Sequence, residues 1–192
     1  MFKQIVKYFQ VQNKQYLTLA ALIVLLLLGV LVTKFLSALD QNAGHKNYEQ
    51  ASEYLADNDL GRAEKYFKRA YKDEPENYNY LWQLAKTQVR LERYDNAVQS
   101  YDELILKIPG KPLPYIEQGE VYELLNDYEK AKSLYSKAVG IDKNAVKAYL
   151  NWSTLLLRQN NRPEAKFILE EGLRSNPENE ELLTTLKRIS SP

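Results

Sequence analysis

The sequence predicts an all-α chain: an amino-terminal transmembrane helix, then an α-solenoid of four helix-turn-helix repeats closed by a carboxy-terminal capping helix. Three observations predict it. The stretch 15-QYLTLAALIVLLLLGVLVT-33 holds no charge. Ala63, Ala97, Ala131 and Ala165 recur every 34 residues. The last stretch, 178-ENEELLTTLKRIS-190, carries acids at its start, bases at its end and aliphatic residues along one side.

Hydrophobic content of 45% and charged content of 27% are ordinary for a globular protein, which argues against wholesale disorder over 192 residues. Of the 26 Lys+Arg and 25 Asp+Glu, Lys3, Lys7, Lys14, Lys34 and Asp40 precede residue 44, leaving 22 against 24 in the rest of the chain. No surface for nucleic acid follows from that balance. Zero cysteines remove disulfides, thiolate catalysis and cysteine metal sites, and leave the compartment open.

Residues 1–14 are expected to form a short cytoplasmic segment. In it Phe2, Ile5, Val6 and Phe9 oppose Lys3, Lys7 and Gln10, so it either lies on the membrane surface or simply extends the helix that follows. Residues 15–36 form the anchor. Its uncharged run, as a helix rising ~1.5 Å per residue, spans ~28 Å, close to the thickness of a bilayer core. A helix buried in a soluble protein would show a polar face over five turns, and this one does not. A cleaved signal peptide is the competing reading: its apolar region runs about 7–15 residues to a small-residue site. Here Lys34 interrupts the approach to the site after Ala38. Lys3, Lys7 and Lys14 precede the span without an acid, whereas Lys34 and Lys46 are offset by Asp40 and Glu49. Cations resist translocation, so the amino terminus is expected in the cytoplasm of a bacterium and the repeat domain in the periplasm, on a single-pass inner-membrane protein.

Residues 37–43 are expected to be a linker; 37-SALDQNAG-44, fully extended at ~3.5 Å per residue, reaches ~28 Å. The repeats occupy 44–77, 78–111, 112–145 and 146–177. Around each alanine the neighbours keep step: Leu60, Tyr94 and Tyr128 before it, with Arg162 breaking the column, and Phe67, Tyr101, Tyr135 and Leu169 after it. Ala70, Leu104, Ala138 and Gly172 form another column, and Ala51, Ala85, Gly119 and Ser153 a further one in the preceding helix. Steps of three and four residues describe one helix face, so each unit is two helices with a break between them. Asn58-Asp59, Glu92-Arg93, Asn126-Asp127 and Asn160-Asn161 supply the breaks, and Pro75, Pro109 and Pro177 close their units, Lys143 standing in the remaining place. A small residue lets two backbones approach while a ring one turn away fills the adjoining space. The tyrosines of these columns are therefore core residues rather than stacking platforms for a ligand. Residues 178–192 form the capping helix and tail, which repeat arrays need because the last unit otherwise exposes an apolar face.

Searched for chemistry, the sequence offers no general base with a matched nucleophile, and a non-enzyme without cofactor, metal or small-molecule substrate is expected. His45 and Glu49, one turn apart, read as a solvated ion pair; Gly110-Lys111 lacks a glycine-rich loop upstream; Asp127 and Glu129 sit at a helix start, where carboxylates cap; and the sequon Asn151-Trp152-Ser153 falls inside a helix.

The paired helices, with Leu84-Ala85, Gln118-Gly119 and Tyr122, and Trp152-Ser153 in the first helices and the alanine columns and closing prolines in the second, resemble the tetratricopeptide repeat family over about 44–177. Leu104, Gly172, Leu169, Gln88 and Lys143 depart from that pattern. The resemblance implies a groove lined by the first helix of each unit that binds an extended or helical segment of a partner protein. The places it implies are Tyr48, Ser52 and Leu55 in the first unit and Asn79, Trp82, Lys86 and Val89 in the second. They continue with Leu113, Ile116, Glu120 and Glu123 in the third and Lys147, Leu150, Thr154 and Arg158 in the fourth. Trp82 stands out because large rings are the commonest interface hot spots, and packing between the first two units is its competing role. Some members clamp acidic chaperone tails with cationic and amide side chains; here the matching places hold Tyr48, Ser52, Gln83, Leu113 and Glu117, and Glu117 would repel such a tail. The expectation is an anchored scaffold or adaptor in the assembly of an envelope complex, with a cytosol-facing membrane receptor or co-chaperone adaptor as the alternative.

Overall fold

In the computed structural model the backbone is described for residues 2–190, and side chains for 21–35 and 43–190. The amphipathic face of 1–14 and the side chains of 15–20 in the uncharged run and of 36–42 lie outside the described residues. Nine α-helices and no strands occur among the described residues: α1 Phe2–Ala56, α2 Leu60–Asp73, α3 Tyr78–Arg90, α4 Tyr94–Lys107, α5 Pro112–Leu124, α6 Tyr128–Ile141, α7 Val146–Arg158, α8 Arg162–Ser175 and α9 Glu180–Ser190. Each helix packs on the next, and the all-α solenoid of four hairpins follows the expected pairs.

Two features of α1 differ from expectation. The helix runs through 37–44 without a break, so that stretch advances ~1.5 Å per residue and spans ~12 Å rather than the ~28 Å of an extended linker. Its apolar residues from Leu22 to Phe35 stand 49–69% exposed. Among the described residues no helix is long and apolar enough to cross a membrane; the uncharged run enters the described side chains only at residue 21.

The repeat columns form the core. Ala63, Ala97, Ala131 and Ala165 are fully buried, and Phe67, Tyr101, Tyr135 and Leu169 fill the space beside them. Ala51, Ala85, Gly119 and Ser153 are buried likewise, so the backbones of paired helices meet at the smallest side chains. Ring size decides which small residue is tolerated. A Cβ built on Gly119 would lie 2.5 Å from Cε1 of Tyr135, and one on Gly172 would lie 2.9 Å from Cγ of Tyr149. Two of the polar contacts in the core run between helices, Ser100 Oγ donating to Gln88 Oε1 at 2.7 Å and Gln118 Nε2 to Asp102 Oδ1 at 2.6 Å, while Thr87 and Ser153 donate to carbonyls of their own helices.

All four hairpin turns use one device. Asn58, Glu92, Asn126 and Asn160 adopt left-handed backbone with φ of 57–60°. The next amide then reaches back five residues, as in Asp59 N to Tyr54 O at 2.8 Å and Arg93 N to Gln88 O at 2.9 Å, a helix-ending motif that satisfies orphan carbonyls. Asp59, Asp127 and Asn161 accept from the amides of Arg62, Lys130 and Glu164 and so cap α2, α6 and α8. Glu92-Arg93 is the exception to the expected pattern, because Arg93 makes no capping bond. Where Lys143 replaces proline, Asp142 Oδ1 accepts from Asn144 N at 2.8 Å and holds the turn. On α9, Leu182 and Ile189 are buried and Leu186 is half-buried against the fourth unit, while Leu183, expected on the same side, is 45% exposed.

Candidate functional site

Glu117, Glu120 and Glu123 lie at three-residue intervals on α5 and therefore share one face, between α3 on one side and α7 on the other. Every one of them is bonded. Trp82 Nε1 donates to Glu117 Oε2 at 2.5 Å, and Tyr101 Oη donates to the same oxygen at 3.2 Å. Lys147 Nζ and Asn151 Nδ2 both meet Glu120 Oε1 at 2.7 Å. Tyr135 Oη donates to Glu123 Oε1 at 2.5 Å while Arg158 pairs with its Oε2 at 2.8 Å. Burial, reinforced by these carboxylates, pushes the Tyr101 and Tyr135 hydroxyls far above the usual tyrosine range, so both remain donors at any physiological pH. Bonds from α3, α4, α6 and α7 thus converge on one acidic row.

Two clefts open on this face and share Glu120. One, of about 230 Å³, has Val89, Val121 and the Tyr101 ring for an apolar floor, with Lys86 and Arg90 opposite Glu117 and Glu120. The other, of about 270 Å³, lies between Glu120, Glu123 and Leu124 of α5 and Asn151, Thr154 and Arg158 of α7. Alternating charge around small apolar patches suits a polypeptide segment laid across the helices. Among the described residues no group of three His, Asp or Glu side chains gathers as a metal site; His45 and Glu49 pair at 3.2 Å on the surface.

The expected groove residues divide into two sets. Lys86, Glu120, Thr154 and Arg158 line the clefts, Lys147 pairs with Glu120 beside them, and Asn79 is exposed at the start of α3. Others are committed to packing. Ile116 is a correction: at 3% exposure it is sealed with Ala131, Tyr135 and Leu155 and offers no surface. Tyr48 stacks on Tyr80 with centroids 4.9 Å apart, and Ser52 Oγ donates to Tyr48 O at 2.9 Å. Leu113 and Leu150 are half-buried against the cores of their units. Trp82 is half-buried beside the first two units' core, its ring edge tied to Glu117. Arg90, Tyr101, Glu117, Val121, Leu124 and Asn151 also line the clefts and are not among the expected groove residues. The three-residue spacing of the glutamates is a signal that could have shown the acidic row; nothing in the spacing of Asn151 points to its bond to Glu120.

Two tetratricopeptide repeat family models match residues 48–112 and 124–189, together about two thirds of the chain. The chain belongs to the tetratricopeptide repeat (TPR) family. Solved structures similar to this TPR protein include MamA, with a TM-score of 0.64 at 14% identity over 77% of this chain and 80% of that one. A tetratricopeptide repeat protein from Parabacteroides merdae has a TM-score of 0.65 at 21% identity, over 73% of this chain and 56% of that one. A thermophilic TPR protein in Thermus thermophilus has a TM-score of 0.57 at 21% identity, over 77% and 81%. At such identities the likeness is one of fold. The TPR array is a scaffold suited to protein–protein contact, and its first-helix face carries two of its clefts together with the converging polar groups.

Proposed function

We propose that this TPR protein is a membrane-anchored adaptor that holds an extended or helical segment of a partner envelope protein across α3, α5 and α7, on the periplasmic side of a bacterial inner membrane. The observation that carries the binding surface is the pair of adjoining clefts on either side of Glu120, one with an apolar floor and both with charges of each sign at the rim. Such a surface rewards a partner with matched charges and rejects one of uniform sign. Glu117 stands where an acidic tail would have to lie, which disfavours a chaperone-tail adaptor. Trp82 Nε1 and Tyr101 Oη hold that carboxylate in place.

The membrane part rests on the uncharged run 15–33, on the exposure of Leu22 to Phe35, and on the excess of lysine before the run. Because α1 continues as a helix into the first unit, the array would stand within ~15 Å of the bilayer, and partners would be membrane proteins or substrates emerging from them. The test has two arms. A photo-crosslinking residue at Lys86 or Thr154, in intact cells, should capture one protein that the same residue at Gln99 on α4 does not; equal capture from both faces would end the groove assignment. A reporter active only outside the cytoplasm, fused after Pro192, should be active, and a working cytosolic reporter beside a silent external one would reverse the topology in favour of a cytosol-facing receptor.

A further inference from the structure

The two ends of the array are finished differently. At the carboxy-terminal end α9 covers the last unit with Leu182 and Ile189. At the other end the outer face of the α1–α2 hairpin is covered by nothing among the described residues, and its seam is aromatic. Tyr54 and Tyr66 touch with ring centroids 5.4 Å apart, and the guanidinium groups of Arg62 and Arg69 lie on them at 4.5 and 5.0 Å. Both rings remain half-buried rather than sealed.

Both helices carry charge of each sign on this face. Lys46, Gln50, Glu53 and Asp57 form a stripe along α1 and the turn after it, at steps of four, three and four residues. Arg62, Lys65, Arg69 and Asp73 form the matching stripe along α2. Contacts across the hairpin set the heights. Asn47 Nδ2 donates to Asp73 Oδ2 at 2.7 Å, and Tyr54 meets Tyr66, so Lys46 is level with Asp73, Gln50 with Arg69, Glu53 with Lys65, and Asp57 with Arg62.

We infer that this face binds a second copy of the chain, about a two-fold axis parallel to α1. That operation lays α1 of one copy against α2 of the other at equal height, and the interface is isologous. Three of the four levels then set opposite charges together, each twice: Lys46 with Asp73 of the second copy, Glu53 with Lys65, and Asp57 with Arg62, which its own Asp59 also pairs; Arg69 meets the neutral Gln50. The tyrosine pairs fill the middle of the resulting four-helix contact, with charges at its flanks, as in helical bundles generally. The other two-fold that apposes these faces sets α2 against α2 and α1 against α1; it pairs Arg62 with Asp73 and Lys46 with Asp57 but also Lys65 with Arg69, so it makes fewer opposite-charge contacts and adds a repulsive one, each twice. It also turns the two apolar runs of α1 in opposite directions. The parallel arrangement points both runs the same way, so two copies in one membrane satisfy it without strain.

The test uses the full-length chain in detergent and two charge variants made on exposed side chains. Sedimentation equilibrium should give twice the monomer mass for the wild type. Glu53→Lys, and separately Lys65→Glu, each setting like charges opposite one another at two symmetry-related places, should each give the monomer mass, with melting curves showing that the array is still folded. An equimolar mixture of the two variants should restore the doubled mass. A wild-type monomer would overturn the inference, and so would doubled mass in either variant alone, because assembly would then run through the anchor or another face. A second measurement exploits the absence of cysteine: Glu53→Cys copies mixed with Lys65→Cys copies should form an inter-chain disulfide in the membrane, and Gln99→Cys copies should not; equal bridging from both would also overturn it.

Discussion

A methyl group added at Gly119 would lie 2.5 Å from the Tyr135 ring, and the ring cannot swing clear without giving up the bond from its hydroxyl to Glu123. Gly119→Ala is therefore expected to cost about 1–3 kcal/mol by overpacking, seen as a lower urea midpoint with an unchanged slope. The equivalent Ala85 is tolerated because Tyr101 reaches instead to Glu117 in the following unit. Glu92 is the second residue whose identity and conformation disagree. It holds φ of 57°, where asparagine stands in the other three hairpin turns, and a glutamate pays for that backbone without a local hydrogen bond in return. Glu92→Asn should raise stability by about 1 kcal/mol, checked by thermal melting; no gain would show that the turn relaxes the strain elsewhere. The positions of these turns were legible from their short polar pairs. That Glu92 would be forced into the asparagine conformation was not, because nothing local favours it and the packing of α3 on α4 imposes it.

At the scale of elements, each connection between units closes with proline except that after α6. Asp142, the residue before the gap, already has φ −138° and ψ 110°, the extended backbone that a following proline requires. The Asp142 side chain bonds Asn144 N rather than the amide of residue 143, so that proton is not needed in the turn. Lys143→Pro should stabilise the array by about 0.4–1 kcal/mol through the unfolded chain, raising the melting temperature without altering the circular dichroism spectrum. Helix pairs were readable from the sequence because the period is written twice, in small residues and in breaks. The continuity of α1 through 37–44 was not. Ser37, Asp40, Asn42 and Gly44 suggest a break, yet Gly44 serves close approach: a Cβ there would meet the Glu74 carboxylate at 2.5 Å, and His45 N donates to that carboxylate at 3.2 Å.

Over the whole molecule, the units are joined by polar bonds across their inner face as well as by the apolar columns. Glu117 takes bonds from Trp82 of the same inner face and Tyr101 of the second unit, so Glu117→Ala leaves a half-buried and a buried donor without an acceptor. The expected loss is about 1–3 kcal/mol, with a broader urea transition as the second and third units cease to unfold together. A sharp transition at the original midpoint would show that the row contributes nothing to coupling. By itself the sequence determined the number of units, their pairing and the residues of the core, because burial at steps of three and four is a local periodic property of the chain. Only the tertiary structure decided which inner-face residues keep a free surface: Ile116 is sealed, Tyr48 is stacked on Tyr80, and Lys86, Thr154 and Arg158 stand open. Those outcomes depend on how far neighbouring hairpins rotate on one another, and that rotation is set by side chains more than thirty positions apart, as in the bond from Arg158 to Glu123.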